Sequence, residues 1–469
     1  MNPNTNFTPE TFDLTKLSLK IPGYNFKINS GTVTDEIDII QTSVELSMFE
    51  HISMPYLTGK LVLVDDFGLL DFPGIKGSEK IVIEFGYPAS YIKNITKTFI
   101  IRSIASAETY NDFTNVFVFD LIEDIGYYDK VQKISKGYTG TGEQIIQSIL
   151  QDNLGIELDT NFSKPSHQSA FKYVVPYLSP MQACLTVLSK MTTTTGCPYF
   201  LYSSLYSDKL ILADLESILT RQSFNESLPF VYSQGQTNAP LNNFAAISSA
   251  LKSYSGSALE DTLSLVEQGA GGILHNYVVL GDESKDDTRH YSIVNSVITM
   301  LENNNIIDEK EFTKLIDENF IVDPSGATEK TLGEMNSKII STISTSNYPL
   351  TPVNSFNQES TYFEAVLPEF RNALLLYLTK NIYNLEMPGF LFLPKTNSSE
   401  NVLLSVGNQL SVTILGESPS SLNTIVKKST TNSGRHVMLA KRHILDIPER
   451  THNISIQCAR ISRPNFIKG

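Results

Sequence analysis

Short runs of Val, Ile, Leu and Phe, broken by turn residues, dominate the first 125 positions. LTGKLVLVDD (57–66), EKIVIEFG (79–86), KTFIIRSI (97–104) and NVFVFDLIE (115–123) have strand length and little helical spacing. Four such runs predict a small antiparallel barrel or sandwich over 1–125. The next block, 126–240, is mixed. Thr141-Gly-Glu-Gln144 reads as a capping box, with Ile145, Ile146, Ile149 and Leu150 following at helical spacing. Ser179-Pro180-Met181-Gln182 gives a second helix start, with Leu185, Leu188 and Met191 on one face and Gly196 as its stop. CPYFLYS and DKLILADL read as a hairpin, so this block predicts a compact α/β unit. From 241 to 355 the pattern turns polar and helical. Asp308–Glu311 reads as a further cap, TEKTLGEMNSKIISTI (328–343) as a helical stripe and NYPLTPVN (347–354) as a linker. This insertion could also hold early strands of a second barrel. The block 356–469 returns to strands.

The strand blocks resemble each other. Gly77 to Gly86 and Gly407 to Gly416 both enclose a strand nine residues long from Gly to Gly. FIIRSI leads to NVFVF, and VMLAKR leads to NISIQ. Phe99 and Asn115 are 16 apart, as are Val437 and Asn453. Met54-Pro55 and Met387-Pro388 precede the respective Gly pairs. These anchors predict two copies of one barrel, which would present two similar surfaces. The expected class is therefore α+β: two similar antiparallel barrels, an α/β domain and a polar helical insertion.

Composition narrows the function. The chain has 469 residues and a net charge of −14, against a general nucleic-acid-coating surface. It has no Trp, which counts against carbohydrate stacking, and its three cysteines form no CxxC. Buried thiols in a reducing compartment are the expectation. The start, MNPNTNFTPETF, carries no signal-peptide pattern, and the longest apolar run, about Ala373–Leu378, is far too short for a membrane span. The charge is unevenly spread. Residues 425–469 hold nine Lys or Arg against two acidic residues, a net +7 that leaves −21 for the rest. This basic end makes Arg435, Lys441, Arg442, Arg450, Arg460 and Arg463 candidates for docking to an acidic protein surface.

Other chemistry is weaker. GYTGTGEQII (137–146) has the wrong spacing for a dinucleotide loop, and no Walker A, HExxH or GxSxG occurs. His436, His443, His452 and Cys458 invite a metal reading. Seven positions separate His436 from His443, which on one regular strand puts them on opposite faces. The acidic pairs Asp65-Asp66, Glu123-Asp124, Asp282-Glu283 and Asp286-Asp287 read as solvated turns, although a hydrolase could use two carboxylates. No cofactor or metal is expected.

The ordered motifs resemble a known family. MPYLTGKLVLVDDFGLLDFPGIKGSEKIVIEFGYP (54–88) is similar to the first barrel of the baseplate central hub proteins of contractile-tailed phages of the T-even type, through Ser53, Pro55, Tyr56, Gly59, Asp65, Gly77 and Glu79. SKGYTGTGEQIIQSILQDNLG (135–155) and SPMQACLTVLSKMTTTTGCPYFLYSS (179–204) resemble the family's α/β domain. SGRHVMLAKRHIL (433–445) resembles its last hairpin. The resemblance implies a non-enzymatic homotrimer whose six barrels form a pseudo-sixfold ring. Such a ring joins a sixfold tail tube to a threefold spike and leaves a passage for DNA. It implies tail tube or tube-initiator proteins, a separate spike protein and baseplate wedge or peripheral hub proteins as partners. The setting would be a virion tail assembled in the host cytoplasm. Residues 296–355 have no counterpart in it. Two other classes stay open: a tail adhesin or fibre connector, and a cell-wall hydrolase.

Overall fold

The chain folds as two barrels sharing one sheet, with a helical unit between them in sequence. The structure is a computed structural model and describes residues 8–23, 26–27, 33–65, 75–111, 114–166, 170–193, 197–233, 244–256, 271–280, 283–292, 320–322, 329–331, 338–344, 382–396, 398–418, 425–428 and 433–460.

The first barrel contains β1 (Asp13–Lys20), β2 (Ser43–His51), β3 (Thr58–Asp65), β4 (Lys80–Gly86), β5 (Ile95–Asn111) and β6 (Thr114–Glu123). Their order across the sheet is β2-β3-β6-β5-β4-β1, all antiparallel. The segment Glu36–Asp38, just ahead of β2, pairs with β1 and brings the ends of the sheet together. Alternation puts Leu61, Leu63, Ile81, Ile83, Phe117 and Phe119 inside, each almost fully buried. Burying side chains of this size contributes about 1.5–3 kcal/mol each.

The motif residues of this barrel have structural reasons. Glu79 is buried and accepts the backbone N–H groups of Lys76 (2.7 Å), Gly77 (2.8 Å) and Ser78 (3.0 Å), folding the turn into β4. Gly77 sits at φ +86°, where a side chain is strained. Those hydrogen bonds hold the Glu79 carboxyl below its ordinary range, against the burial that opposes them.

The middle of the chain forms the α/β unit. It contains α1 (Asp124–Val131), α2 (Gly142–Leu154), β7 (Leu158–Phe162), α3 (Pro180–Leu188), β8 (Tyr199–Tyr202), β9 (Leu210–Asp214) and α4 (Leu215–Thr220). Both predicted capping boxes form, Thr141 with Gln144 and Ser179 with Gln182. The buried Asp129 carboxylate reinforces the second cap, accepting the Met181 N–H (2.7 Å) and the Ser179 hydroxyl (3.1 Å). The predicted hairpin is β8 against β9, with β7 parallel to β9 on its other side. Helix α3 stops at Leu188, well before Gly196, which lies outside the described residues.

The second barrel is built from β10 (Phe230–Ser233), β11 (Ser253–Gly256), β12 (Ile382–Pro388), β13 (Gln409–Ser418), β14 (Gly434–Asp446) and β15 (Thr451–Arg460). Its order is β11-β12-β15-β14-β13-β10. Each strand of the first barrel thus has a counterpart nine strand numbers later. Only the orientation of the first strand differs: β1 is antiparallel to β4, whereas β10 is parallel to β13. Closure also recurs, because Val231 and Leu251 N–H groups bond Ser249 and Val231 carbonyls just ahead of β11.

The register of the repeat differs from the sequence anchors by one residue. Both barrels carry a bulge at the same place, between Ile101 and Ser103 in β5 and between Met438 and Ala440 in β14. Matching the bulges pairs Ile101 with Met438, Phe99 with His436 and Leu121 with Cys458. Phe117 and Phe119 then match Ile454 and Ile456, while Ile81 and Ile83 match Leu410 and Val412, and all of these are buried. Aligning Phe99 with Val437 would exchange the two faces of the strand. The Met-Pro anchor does not survive, since Met387-Pro388 ends β12 whereas Met54-Pro55 lies ahead of β3. One exchange of volume stands out. Met48 faces Gly59 in the first barrel, and Gly256 faces Tyr383 in the second. A Cβ on Gly256 would lie 2.2 Å from the Tyr383 ring, so the large and small partners are swapped.

The insertion is richer in strands than its polar pattern predicts. Gly271–Leu280 pairs antiparallel with Glu283–Ser292 and parallel with Lys338–Ser344. The stripe predicted as helical over 328–343 therefore ends in a strand, in keeping with the β-branched content of KIISTIS. Glu283–Asp287, read as a turn, opens a strand. Asp308–Glu311 and 347–354 lie outside the described residues. Among the described residues no helix is long and apolar enough to cross a membrane.

Candidate protein-interaction surface

β14 belongs to two structures at once. Its first residues pair with β13 inside the second barrel, from Gly434 to Val437. Its outer half runs beyond β13 and pairs antiparallel with β2 of the first barrel, from Ala440 opposite His51 to Asp446 opposite Glu45. This ladder joins the two barrels edge to edge.

The join holds charge as well as backbone. Lys441 and Glu50 are opposite each other, fully buried and 3.2 Å apart. Lys441 Nζ also donates to the Leu404 carbonyl (2.6 Å) and the Tyr206 hydroxyl (3.1 Å). The Glu50 carboxylate accepts the N–H groups of Leu205 (3.1 Å) and Val406 (3.3 Å). One ion pair thus ties both barrels to the end of the α/β unit. Burial pushes the Lys441 ammonium down to about 8, with Glu50 opposing the shift. Beside it, Arg442 bonds Glu45 (2.9 Å) and Ser47 across the same ladder.

Two histidines continue the buried network. His443 Nδ1 lies 3.0 Å from His452 Nε2, and the rings stack. His443 Nε2 lies 3.4 Å from the Tyr206 hydroxyl, which itself donates to the Phe392 carbonyl. Burial drives the His452 imidazole down to about 3 and His443 well below its ordinary range, with the Lys441 charge adding to both. Both rings are neutral at pH 7. His436 is equally buried, with Nδ1 against the Gly434 carbonyl, and is pushed down to about 4.

The sequence-predicted residues therefore separate. The bulge between Met438 and Ala440 resets the alternation of β14, so His436 and His443 are both buried rather than on opposite faces. They nonetheless have different neighbours. Among the described residues no group of three or more His, Cys, Asp and Glu side chains could hold a metal ion. Burial raises the Cys184 and Cys458 thiols and keeps them protonated.

Of the basic candidates, Lys441 is a correction. A cation with no exposed surface cannot meet an external acidic partner, and its acidic partner is Glu50. Arg442 also serves the internal join. Arg435 is on the surface and pairs with Glu226 (2.9 Å). Arg450 is exposed in the β14–β15 turn at φ +52°. Arg460 ends β15 and is half-buried, and Arg463 lies outside the described residues. Sequence reasoning missed Glu45, Glu50 and Tyr206. Glu50 follows Leu46 and Met48 at strand spacing, on the inward face of β2, and nothing local in the sequence signals the cation that pairs with it there.

No family model and no curated protein matches the chain. Solved structures similar to it include the 43 kDa tail protein of prophage MuSo2 from Shewanella oneidensis. That likeness has 8% identity and a TM-score of 0.48, covering 95% of this chain and 98% of that one. A tail protein from Neisseria meningitidis MC58 is similar at 9% identity and TM-score 0.46, with 97% and 98% covered. A third is the E. coli c3393 protein, described as a type VI secretion component with structural similarity to the bacteriophage T4 tail proteins gp27 and gp5. It has 8% identity and a TM-score of 0.37, with 95% and 77% covered.

Proposed function

We propose that this chain is a structural virion protein, the homotrimeric hub of a contractile-tail baseplate. The observation that carries the reading is the edge-to-edge join of two barrels with one strand order. A subunit with two like barrels, repeated three times, presents six similar faces on one side while keeping threefold symmetry. That geometry suits an adaptor between a sixfold tail tube and a threefold central spike, with a passage for DNA along the axis. The ordered motifs of 53–88, 179–204 and 433–445 support the same reading. The partners would be tube or tube-initiator proteins, a separate spike protein, and wedge or peripheral hub proteins. Arg435, Arg450, Arg460 and Arg463 would dock acidic surfaces of those proteins. The role is assembly rather than catalysis, and the buried Lys–Glu and His–His groups serve the join.

Light scattering on the purified full chain tests the reading. Three chains per particle are expected, alone or with its spike partner. A monomer under both conditions overturns it.

A further inference from the structure

The internal repeat assigns a partner to two edges that have none among the described residues. In β14 the outer half is covered by β2. The matching part of β5, beyond Ile100, pairs with β6 on one side and with no other strand among the described residues. The counterpart of β2 is β11, which among the described residues pairs only with β12. The internal join therefore uses one edge of each kind, and the described residues leave one edge of each kind open.

The open edges have the chemistry of a covered interface. Residues 103–107 read Ser-Ile-Ala-Ser-Ala, all exposed and uncharged, between the exposed Arg102 and Glu108. Ile104 stands where the second barrel has the buried Lys441, and it is 38% exposed. β11 reads Ser-Tyr-Ser-Gly, also uncharged. Monomeric proteins blunt such edges with charges, prolines or a cover. In the join already made the charges neutralise each other, Lys441 with Glu50 and Arg442 with Glu45, whereas the open half of β5 keeps only Arg102 and Glu108 as charged residues.

We infer that the outer half of β5 in one subunit pairs antiparallel with the open edge of β11 in the next, in the register of the internal join. The ladder through β6 and β15 matches Ala107 with His443 and Glu108 with Ile444. The ladder through β3 and β12 matches Gly256 with Met48 and Ser255 with Ser47. His443 faces Met48 and Ile444 faces Ser47 within the chain. Between subunits, Ala107 then faces Gly256 and Glu108 faces Ser255. The contact is head-to-tail, and repeating one rotation at both joins closes a ring of barrels. This rests on the hub reading above, and it specifies which strands close the ring.

Cysteine pairing tests it. The native cysteines are all buried and free, so an introduced pair reports alone. Glu108→Cys with Ser255→Cys in one full-length chain should give a disulfide-linked ladder up to three chains on oxidation. The matched internal pair, Ile444→Cys with Ser47→Cys, should form its bond without raising the mass. A trimer by light scattering with no cross-link would overturn the inference and leave the hub reading standing. Dimers from Glu108→Cys alone would also overturn it, because they mean that β5 pairs with β5. A chain that never trimerises would sink both. Ser106→Lys with Ala107→Lys supplies a second arm. Both positions are exposed, so the thermal midpoint should hold while the trimer is lost. A trimer that persists in this variant would overturn the inference.

Discussion

Replacing Lys441 with Met should weaken the junction of the two barrels more than most single changes in this chain. Met keeps the length and apolar stem of the side chain and removes only the charge. Glu50 would remain buried with two backbone N–H donors and no counter-ion. Removing one partner of a fully buried ion pair costs about 3–5 kcal/mol. The cation also lies 4.4 Å from the Tyr206 ring centroid, a contact of about 0.5–2 kcal/mol that sits within the same range. For a cooperative unit of 150–250 residues, 1 kcal/mol moves the midpoint by about 2–4 °C. The first thermal transition should therefore fall by roughly 6–20 °C. Adding Glu50→Gln removes the stranded charge while keeping an acceptor for one N–H, so the double variant should recover part of the loss. Thermal unfolding of the four proteins of this cycle by circular dichroism measures it, with urea unfolding for the free energies. A single-variant cost below about 1 kcal/mol would refute the claim that this pair holds the junction. So would strict additivity in the double variant.

Acid should act on the same region. The His436 and His452 imidazoles titrate at about 4 and about 3 in the fold, below the unfolded value of about 6.5. The folded state then binds fewer protons, so stability is full above pH 6.5 and falls as pH drops toward 4. At pH 5 each residue forfeits about 1.5 pH units, or about 2 kcal/mol. A thermal midpoint flat from pH 7 to pH 5 would contradict this. Gly256→Met should disrupt the β11–β12 pairing, and Tyr383→Gly added to it should restore stability by copying the Met48–Gly59 arrangement; differential scanning calorimetry reads both steps. Glu79→Ala leaves three backbone N–H groups of the β4 turn without their acceptor and should cost about 1–3 kcal/mol, measured by urea unfolding. Arg435→Glu breaks a surface pair worth at most about 1 kcal/mol, so the fold should hold while sedimentation shows weaker tube docking.

The sequence revealed local structure well and long-range register poorly. Thr141–Gln144 and Ser179–Gln182 were legible because capping boxes are decided within four residues. The strands of the first barrel were legible because Leu61, Leu63, Phe117 and Phe119 alternate with polar neighbours. The repeat was visible, but its alignment was off by one because glycines mark turns, and a turn can sit one residue earlier in one copy. The bulge that sets the true register carries no sequence mark. The same bulge undid the parity argument for His436 and His443. Lys441 read as a surface cation because it sits among the nine Lys and Arg of 425–469. Only the tertiary join, which brings Glu50 across from nearly four hundred residues away, makes it a core residue. The strand at Lys338–Ser344 was misread because Ser, Thr and Ile fit a helical stripe as easily as a ladder in a polar segment.

The central claim is that two barrels per chain become six in a closed ring. A threefold-averaged electron cryomicroscopy map of the purified assembly tests it most directly. The account predicts six barrel densities around one axis, with the β14–β2 and β5–β11 joins alternating. Three isolated barrel pairs, with the β5 edge open to solvent, would contradict it.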